Sequence, residues 1–185
     1  MKHGTAAFCA GSISAFESDT IHVLDWVRWV AGGDPVSGAM LESRFDDAVP
    51  NAWNAVVRFD NGVAGVIKAN YMTGGRTHMF EVHGPRASAF IDIGFGTATC
   101  GARILVHGSG GEYSLASAGA GENDTIVLDG KEIAGSDEFY AYYGFLQENQ
   151  EFIAAVREGR PSTCDIEDGV KALAFAEFLH ARKLT

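Results

Sequence analysis

The sequence predicts an α+β protein: an open, largely antiparallel (mixed) β-sheet with helices packed on one face and the other face available for oligomerisation. Three observations predict it. Short apolar runs separated by turn residues fill positions 36–128 and read as a strand meander. Helical spacing precedes that run at 18–30 and returns after Ser136. Strands grouped between helices, rather than alternating with them, favour helices on one side of an antiparallel sheet. The 185 residues suit a single domain, 1–185, large enough to close a core.

Residues 5–16 read as extended chain, one strand or two hinged at Gly11, feeding a helix over 18–30. Ser18 is placed as its N-cap, where a hydroxyl accepts a free N–H of the first turn, and Asp19 suits the positive end of the helix dipole. Ile21, Leu24 and residues 27–30 bury one face, and Gly32, Gly33 and Pro35 supply the stop. A strand over 36–45 and a loop over 46–51 follow. Residues 53–59 and 63–71 form a hairpin around Asp60-Asn61-Gly62, whose Asn-Gly pair favours a primed turn. Strands at 78–83 and 88–93 continue the meander around Gly84-Pro85-Arg86.

Residues 94–124 are rich in glycine, serine and alanine, with a strand at 103–107 and a second candidate at 112–116. None of these glycine runs completes G-x-G-x-x-G or opens a helix after a strand, so they read as hairpin turns and a rim, not a phosphate loop. A strand at 125–128 closes the series. Ser136 then starts a helix with Phe139, Tyr142, Tyr143, Leu146, Phe152, Ile153 and Val156 as its apolar stripe, ending at Gly159. Pro161 breaks the chain, and a last helix runs from about Asp165 to Lys183.

Charge excludes two partner classes. A formal net charge of -10 with no basic cluster argues against nucleic acid and against an anionic membrane surface. No apolar run approaches the ~20 residues of a membrane span, and the N-terminus lacks a signal-peptide layout. Cys9, Cys100 and Cys164 are dispersed, forming neither a disulfide framework nor a metal knuckle, so a reducing cytoplasm is the expected compartment. His107 and His180 have no companions that suggest a metal site.

The chemistry concentrates on the first helix. His22, Asp25, Trp26 and Trp29 share one stripe beside the apolar face. An imidazole near a helix N-terminus, with Asp19 and Asp25 close in sequence, is a candidate acid–base group near neutral pH. The plainer alternative is a histidine that packs beside two tryptophans.

Four stretches, in order, carry a family resemblance: residues 21–32 around His22, the hairpin at 54–65, the strand pair at 80–84 and 87–89, and the closing helices at 148–161 and 166–169. Together they resemble the C-terminal domain of the Gfo/Idh/MocA oxidoreductases, over roughly the whole chain. The resemblance implies a domain that normally follows a nucleotide-binding Rossmann domain, which is missing from these residues. It implies a role in binding a sugar- or polyol-like substrate, in hydride transfer to or from NAD or NADP, and in homodimer formation through the sheet face. His22 falls on the family's catalytic histidine, which handles the hydroxyl proton. The family often has an aspartate four residues earlier; Ser18 stands there, with Asp19 one place late, about 100° away on a continuous helix. Ser18, Asp19 and Asp25 are the expected substrate contacts near His22, and Arg76, His78, Tyr71 and Tyr143 line the cleft in the family geometry. For those last four, sheet packing or a solvated turn is an equally ordinary reading. As these residues alone, the domain is expected to bind no cofactor and to be inactive; the alternative is a non-catalytic ligand-binding or dimerisation module.

Overall fold

A computed structural model of the chain describes residues 14–74, 77–93, 100–106 and 125–184. In chain order its elements are α1 (Ala15–Ser18), α2 (Ile21–Ala31), β1 (Pro35–Ser43), β2 (Ala52–Phe59), β3 (Ala64–Asn70), β4 (Met79–His83), β5 (Ala87–Ile93), β6 (Cys100–Val106), β7 (Thr125–Asp129), α3 (Gly130–Ala134), α4 (Phe139–Tyr142), α5 (Phe145–Glu158) and α6 (Ile166–His180). Every strand pair is antiparallel, in the order β1-β2-β3 in one sheet and β4-β5-β6-β7 in another. The architecture is the α+β arrangement the sequence predicts, with its strands divided between two sheets. The chain forms two compact units, Met1–Gly74 with Thr163–Thr185, and Gly75–Ser162.

The first unit has a closed core. Along β2, Trp53, Ala55, Val57 and Phe59 are buried while Asn54, Val56 and Arg58 are exposed, the period of two that puts alternate side chains on one face. Phe16, Leu24, Met40 and Ile67 complete that core from α1, α2, β1 and β3, with Phe175, Ala176 and Leu179 from α6. After α6 the chain adds a short parallel bridge to β1: the Met40 N–H donates to the Arg182 carbonyl (3.1 Å), and the Leu184 N–H to the Met40 carbonyl (2.8 Å). Those bonds cover part of an otherwise open sheet edge.

Three local expectations are corrected here. The helix predicted over 18–30 is broken at Asp19-Thr20, and Ser18 does not cap it, because its Oγ donates to the Ser14 carbonyl at 2.9 Å. Ala15 and Phe16, expected in an extended segment, sit buried in α1, while Ser14 is extended; residues 5–13 of that segment lie outside the described residues. The β2–β3 turn is not primed either. Only Gly62 has positive φ (88°), and the Gly62 N–H donates to the Phe59 carbonyl (3.0 Å), a three-residue loop ending in a left-handed glycine. Asn61 thereby turns its amide onto the end of α2, donating to the Ala31 carbonyl at 2.7 Å.

In the second unit β4 to β7 run as a consecutive meander. Asp129 ends it and caps α3, accepting from the backbone N–H groups of Lys131 (2.7 Å) and Glu132 (3.2 Å). The one helix expected from Ser136 to Gly159 is divided into α4 and α5 by Gly144, which adopts φ 88°. The candidate strand at 112–116 and His107 lie outside the described residues. Helix α6 opens with a capping box, Asp165 accepting from the Glu167 and Asp168 N–H groups while the Asp168 carboxylate accepts from the Asp165 N–H. It ends at His180, short of Lys183, where the chain turns to meet β1.

Candidate active site

Helix α2 presents two faces. Leu24 and Ala31 are buried, and Val23 and Val27 pack on the core. His22 and Trp29 are exposed, with Asp25 and Trp26 half-buried between them, so the stripe expected to carry chemistry faces outward. His22 is the second residue of the helix, in its first turn, and its backbone N–H bonds to the Asp19 carbonyl (3.4 Å). Its imidazole is therefore open to solvent at the positive end of the helix dipole.

Beside it the chain is held by a tight polar cluster. The Tyr71 hydroxyl, at the end of β3, lies 2.9 Å from Asp19 Oδ2, 3.0 Å from Thr20 Oγ1 and 3.3 Å from the Ala15 carbonyl oxygen. Thr20 is buried, so its hydroxyl needs such a partner. Because the chain is not helical at Asp19 (φ -128°, ψ -45°), the displacement expected of Asp19 on a continuous helix does not arise. Of the sequence-predicted residues, the fold thus brings Asp19 and Tyr71 together next to His22, with Asp25 one turn further along α2. Ser18 is exposed and occupied with Ser14.

His78 and Tyr143 belong to the second unit. The His78 carbonyl accepts from the Ile93 N–H (2.8 Å), which extends the β4–β5 ladder, and the Tyr143 ring packs on Phe139 and Tyr142 at 4.9 and 4.8 Å between centroids. Arg76 lies outside the described residues.

Two charged groupings went unread in the sequence. Arg28 Nη2 donates to Asp168 Oδ1 at 2.9 Å, tying α2 to the start of α6, and its Nη1 lies 3.8 Å from Asp34. Around Glu42, Lys183 Nζ stands at 2.8 Å and Trp53 Nε1 donates at 3.1 Å, while His180 bridges towards Glu42 and Glu17. Burial pushes the Glu42 carboxyl up, but the Lys183 and Trp53 hydrogen bonds and the charges of Lys183 and His180 outweigh it, and the group titrates below its ordinary value. The pairs that join distant elements, Arg28 with Asp168 and Glu42 with Lys183, are too far apart in sequence for spacing to reveal them. Among the described residues no group of three or more His, Cys, Asp or Glu side chains is placed to hold a metal ion, and no helix is long and apolar enough to cross a membrane.

Comparison with known proteins places this geometry. The profile of an oxidoreductase family's C-terminal alpha/beta domain (GFO_IDH_MocA_C) matches residues 15–181. No curated protein sequence matches the chain. Among solved structures, UDP-N-acetylglucosamine 3-dehydrogenase from Acidithiobacillus ferrooxidans is similar with a TM-score of 0.65 at 17% identity, over 88% of this chain and 46% of that one. An oxidoreductase from Agrobacterium radiobacter in complex with NAD+, L-tartaric acid and magnesium is similar at 0.66 and 15%, over 93% and 47%. Levoglucosan dehydrogenase in complex with NADH is similar at 0.66 and 17%, over 89% and 46%. The chain spans less than half the length of each, and at these identities the likeness shows the fold. With the profile running over residues 15–181, the chain belongs to the Gfo/Idh/MocA oxidoreductase family, as its C-terminal α/β domain.

Proposed function

We propose that this chain is the substrate-facing part of an oxidoreductase that moves hydride between NAD or NADP and a sugar- or polyol-like secondary alcohol. His22 takes or returns the hydroxyl proton. The observation that carries this reading is the exposed imidazole in the first turn of α2, three residues after an aspartate whose carboxylate Tyr71 holds in place. Relatives of the same fold named as dehydrogenases of UDP-N-acetylglucosamine and levoglucosan support the substrate class, and those solved with NAD+ or NADH support the cofactor.

The described residues do not fit the nucleotide itself. The N-terminus of α2 is fronted by Asp19, and no G-x-G-x-x-G loop occurs in the 185 residues. In this reading a Rossmann domain holds NAD(P), and these residues alone are inactive. The chain's own part is the proton half of the reaction: an alcohol that gives up hydride must also release its O–H proton, and a positioned base takes it. Ser18, Asp19 and Asp25 lie on the same stretch of chain as His22 and bind substrate hydroxyls. The outer face of the first sheet, where Val56 and Val66 pair in the open, is the homodimer surface, and the dispersed cysteines suit a cytoplasmic protein.

The test is turnover in the polypeptide that carries the nucleotide-binding domain. His22→Asn is expected to lower kcat/KM by about 100-fold or more, the usual contribution of a general base. Turnover within about threefold of the parent would remove His22 from the chemistry and leave a binding or dimerisation module.

A further inference from the structure

We infer that Tyr71 is the positioning residue of this site: its hydroxyl, fixed by the sheet, sets the direction of the Asp19 carboxylate, three residues before His22. The inference rests on the reading of His22 given above.

Tyr71 is held at both ends. Its backbone N–H donates to the Asn51 carbonyl at 2.9 Å, and its ring stands edge-on to Trp53, centroids 6.0 Å apart at 85°. Trp53 is itself fully buried, so the phenol oxygen is placed by the core of the first unit. Among the described residues three oxygens lie within hydrogen-bond reach of it, and the phenol has one proton to give. The carboxylate at 2.9 Å is the strongest acceptor of the three, since a bond to a charged oxygen is roughly twice as strong as a neutral one. With that proton committed to Asp19, the Thr20 hydroxyl at 3.0 Å is the donor to the phenol oxygen. The order is Thr20 to Tyr71 to Asp19, in which each bond polarises the next.

What makes this more than packing is the break between α1 and α2. Residues inside a helix have their side-chain directions set by the helix; Asp19, outside both, does not. The Ala15 carbonyl accepts from the Asp19 and Thr20 N–H groups, each at 3.1 Å, and the phenol adds a further contact to the same oxygen. One hydroxyl therefore secures both the fold of the break and the aim of its carboxylate. Asp19 is three residues before His22 and its carbonyl accepts from the His22 N–H at 3.4 Å, so in this proposal both side chains serve one bound substrate hydroxyl. A carboxylate fixed there orients that hydroxyl and steadies the imidazolium formed after proton transfer.

The experiment is a double-mutant cycle in the polypeptide that carries the nucleotide-binding domain, with Tyr71→Phe, Asp19→Ala and both together. Tyr71→Phe keeps the ring against Trp53 and removes only the hydroxyl. The expected result is a loss of about tenfold or more in kcat with KM changed less than threefold, and no further loss when Tyr71→Phe is added to Asp19→Ala. A kcat unchanged by Tyr71→Phe, or losses that simply multiply, would overturn the inference. A fall in thermal midpoint without a fall in kcat would make Tyr71 structural and overturn it as well. His22→Asn separates the two claims. If His22→Asn abolishes turnover while Tyr71→Phe is silent, only the Tyr71 inference is lost. If His22→Asn is silent, the proton-transfer reading is lost, and coupling or independence in the cycle still decides whether Tyr71 acts through Asp19.

Discussion

The strands of the second sheet, of 5 to 7 residues, are shorter than the 7 to 9 of the first but no less apolar, yet the two interiors differ. In the first unit Trp53, Phe59, Ile67, Phe16, Phe175 and Leu179 are all buried, because α1, α2 and α6 supply side chains to the face that β2 turns inward. In the second unit the buried hydrophobic residues among those described are Ala141 and Ala155, while α5 leaves Phe152, Ile153 and Val156 exposed. Burial of large apolar side chains is the main favourable term in folding, and among the described residues it is concentrated in the first unit. The candidate site stands on that rigid part. Its segment rests on Phe16, whose ring meets Trp53 at 5.3 Å, and on Tyr71, which meets the same tryptophan. A proton-transfer group needs fixed geometry more than it needs burial, and α2 offers an exposed imidazole on a well-packed support.

The largest expected effect follows from that contrast. Trp53→Ala removes the largest fully buried side chain of the first core and its Nε1 bond to Glu42. It should cost about 3–5 kcal/mol in urea unfolding of the chain, followed by tryptophan fluorescence or far-UV circular dichroism. A loss under about 1 kcal/mol would mean that the first unit does not dominate stability.

Much of this was legible from residue pattern. The alternation in β2 and the paired β3 strand are readable because one side of the sheet is covered and the other is not. The outward stripe of His22, Asp25, Trp26 and Trp29 was readable for the same reason, since Leu24 and Val27 take the inward face; Val30, expected there too, is exposed, and Val23 packs on the core in its place. The break at Asp19-Thr20 was not. No glycine or proline marks it, and Ser18-Asp19 looks like a helix start; what stabilises the break is a phenol 52 residues away. Gly144 was visible, yet apolar spacing continues on both sides of it, so the pattern alone ran α4 into α5. The Arg28–Asp168 pair, 140 residues apart, lies beyond any local signal.

That pair gives the next effect in size. The side chains of Arg28 and Asp168 are 15% and 32% exposed, so their bond is partly shielded from water. Arg28→Met keeps the stem packed on α2 and leaves the Asp168 oxygen without its guanidinium. A loss of about 1–3 kcal/mol is expected by urea unfolding. A smaller loss at 1 M salt than at low salt would identify the interaction as a screened surface pair instead.

Glu42 links the same core to pH. Its carboxyl titrates below the ordinary value in the folded chain, so the stability it contributes is present above the unfolded-state value and is lost as pH falls through the folded one. Glu42→Gln should therefore lower stability at neutral pH by about 1 kcal/mol, the net worth of a typical hydrogen bond, and flatten the decline at pH below the usual carboxylate range. Urea midpoints measured from neutral pH downward check both. Parallel decline in the two proteins would show that Glu42 carries none of the acid sensitivity.

The smallest effect is the one that sharpens the comparison. Val127 lies on β7, at the end of the second sheet, and is 76% exposed, while Val57 on β2 is 4% exposed. Threonine has the same branched shape as valine and similar fitness for a strand, so replacement changes little except a methyl for a hydroxyl. At Val127 that hydroxyl meets water, and Val127→Thr should stay within about 0.5 kcal/mol of the parent. At Val57 it enters the core between Phe59 and the α2 side chains, and Val57→Thr should cost about 1–3 kcal/mol. Equal losses at the two positions, by urea unfolding, would mean that Val127 is covered in solution. The difference between the sheets would then lie in what each is packed against, not in their strands.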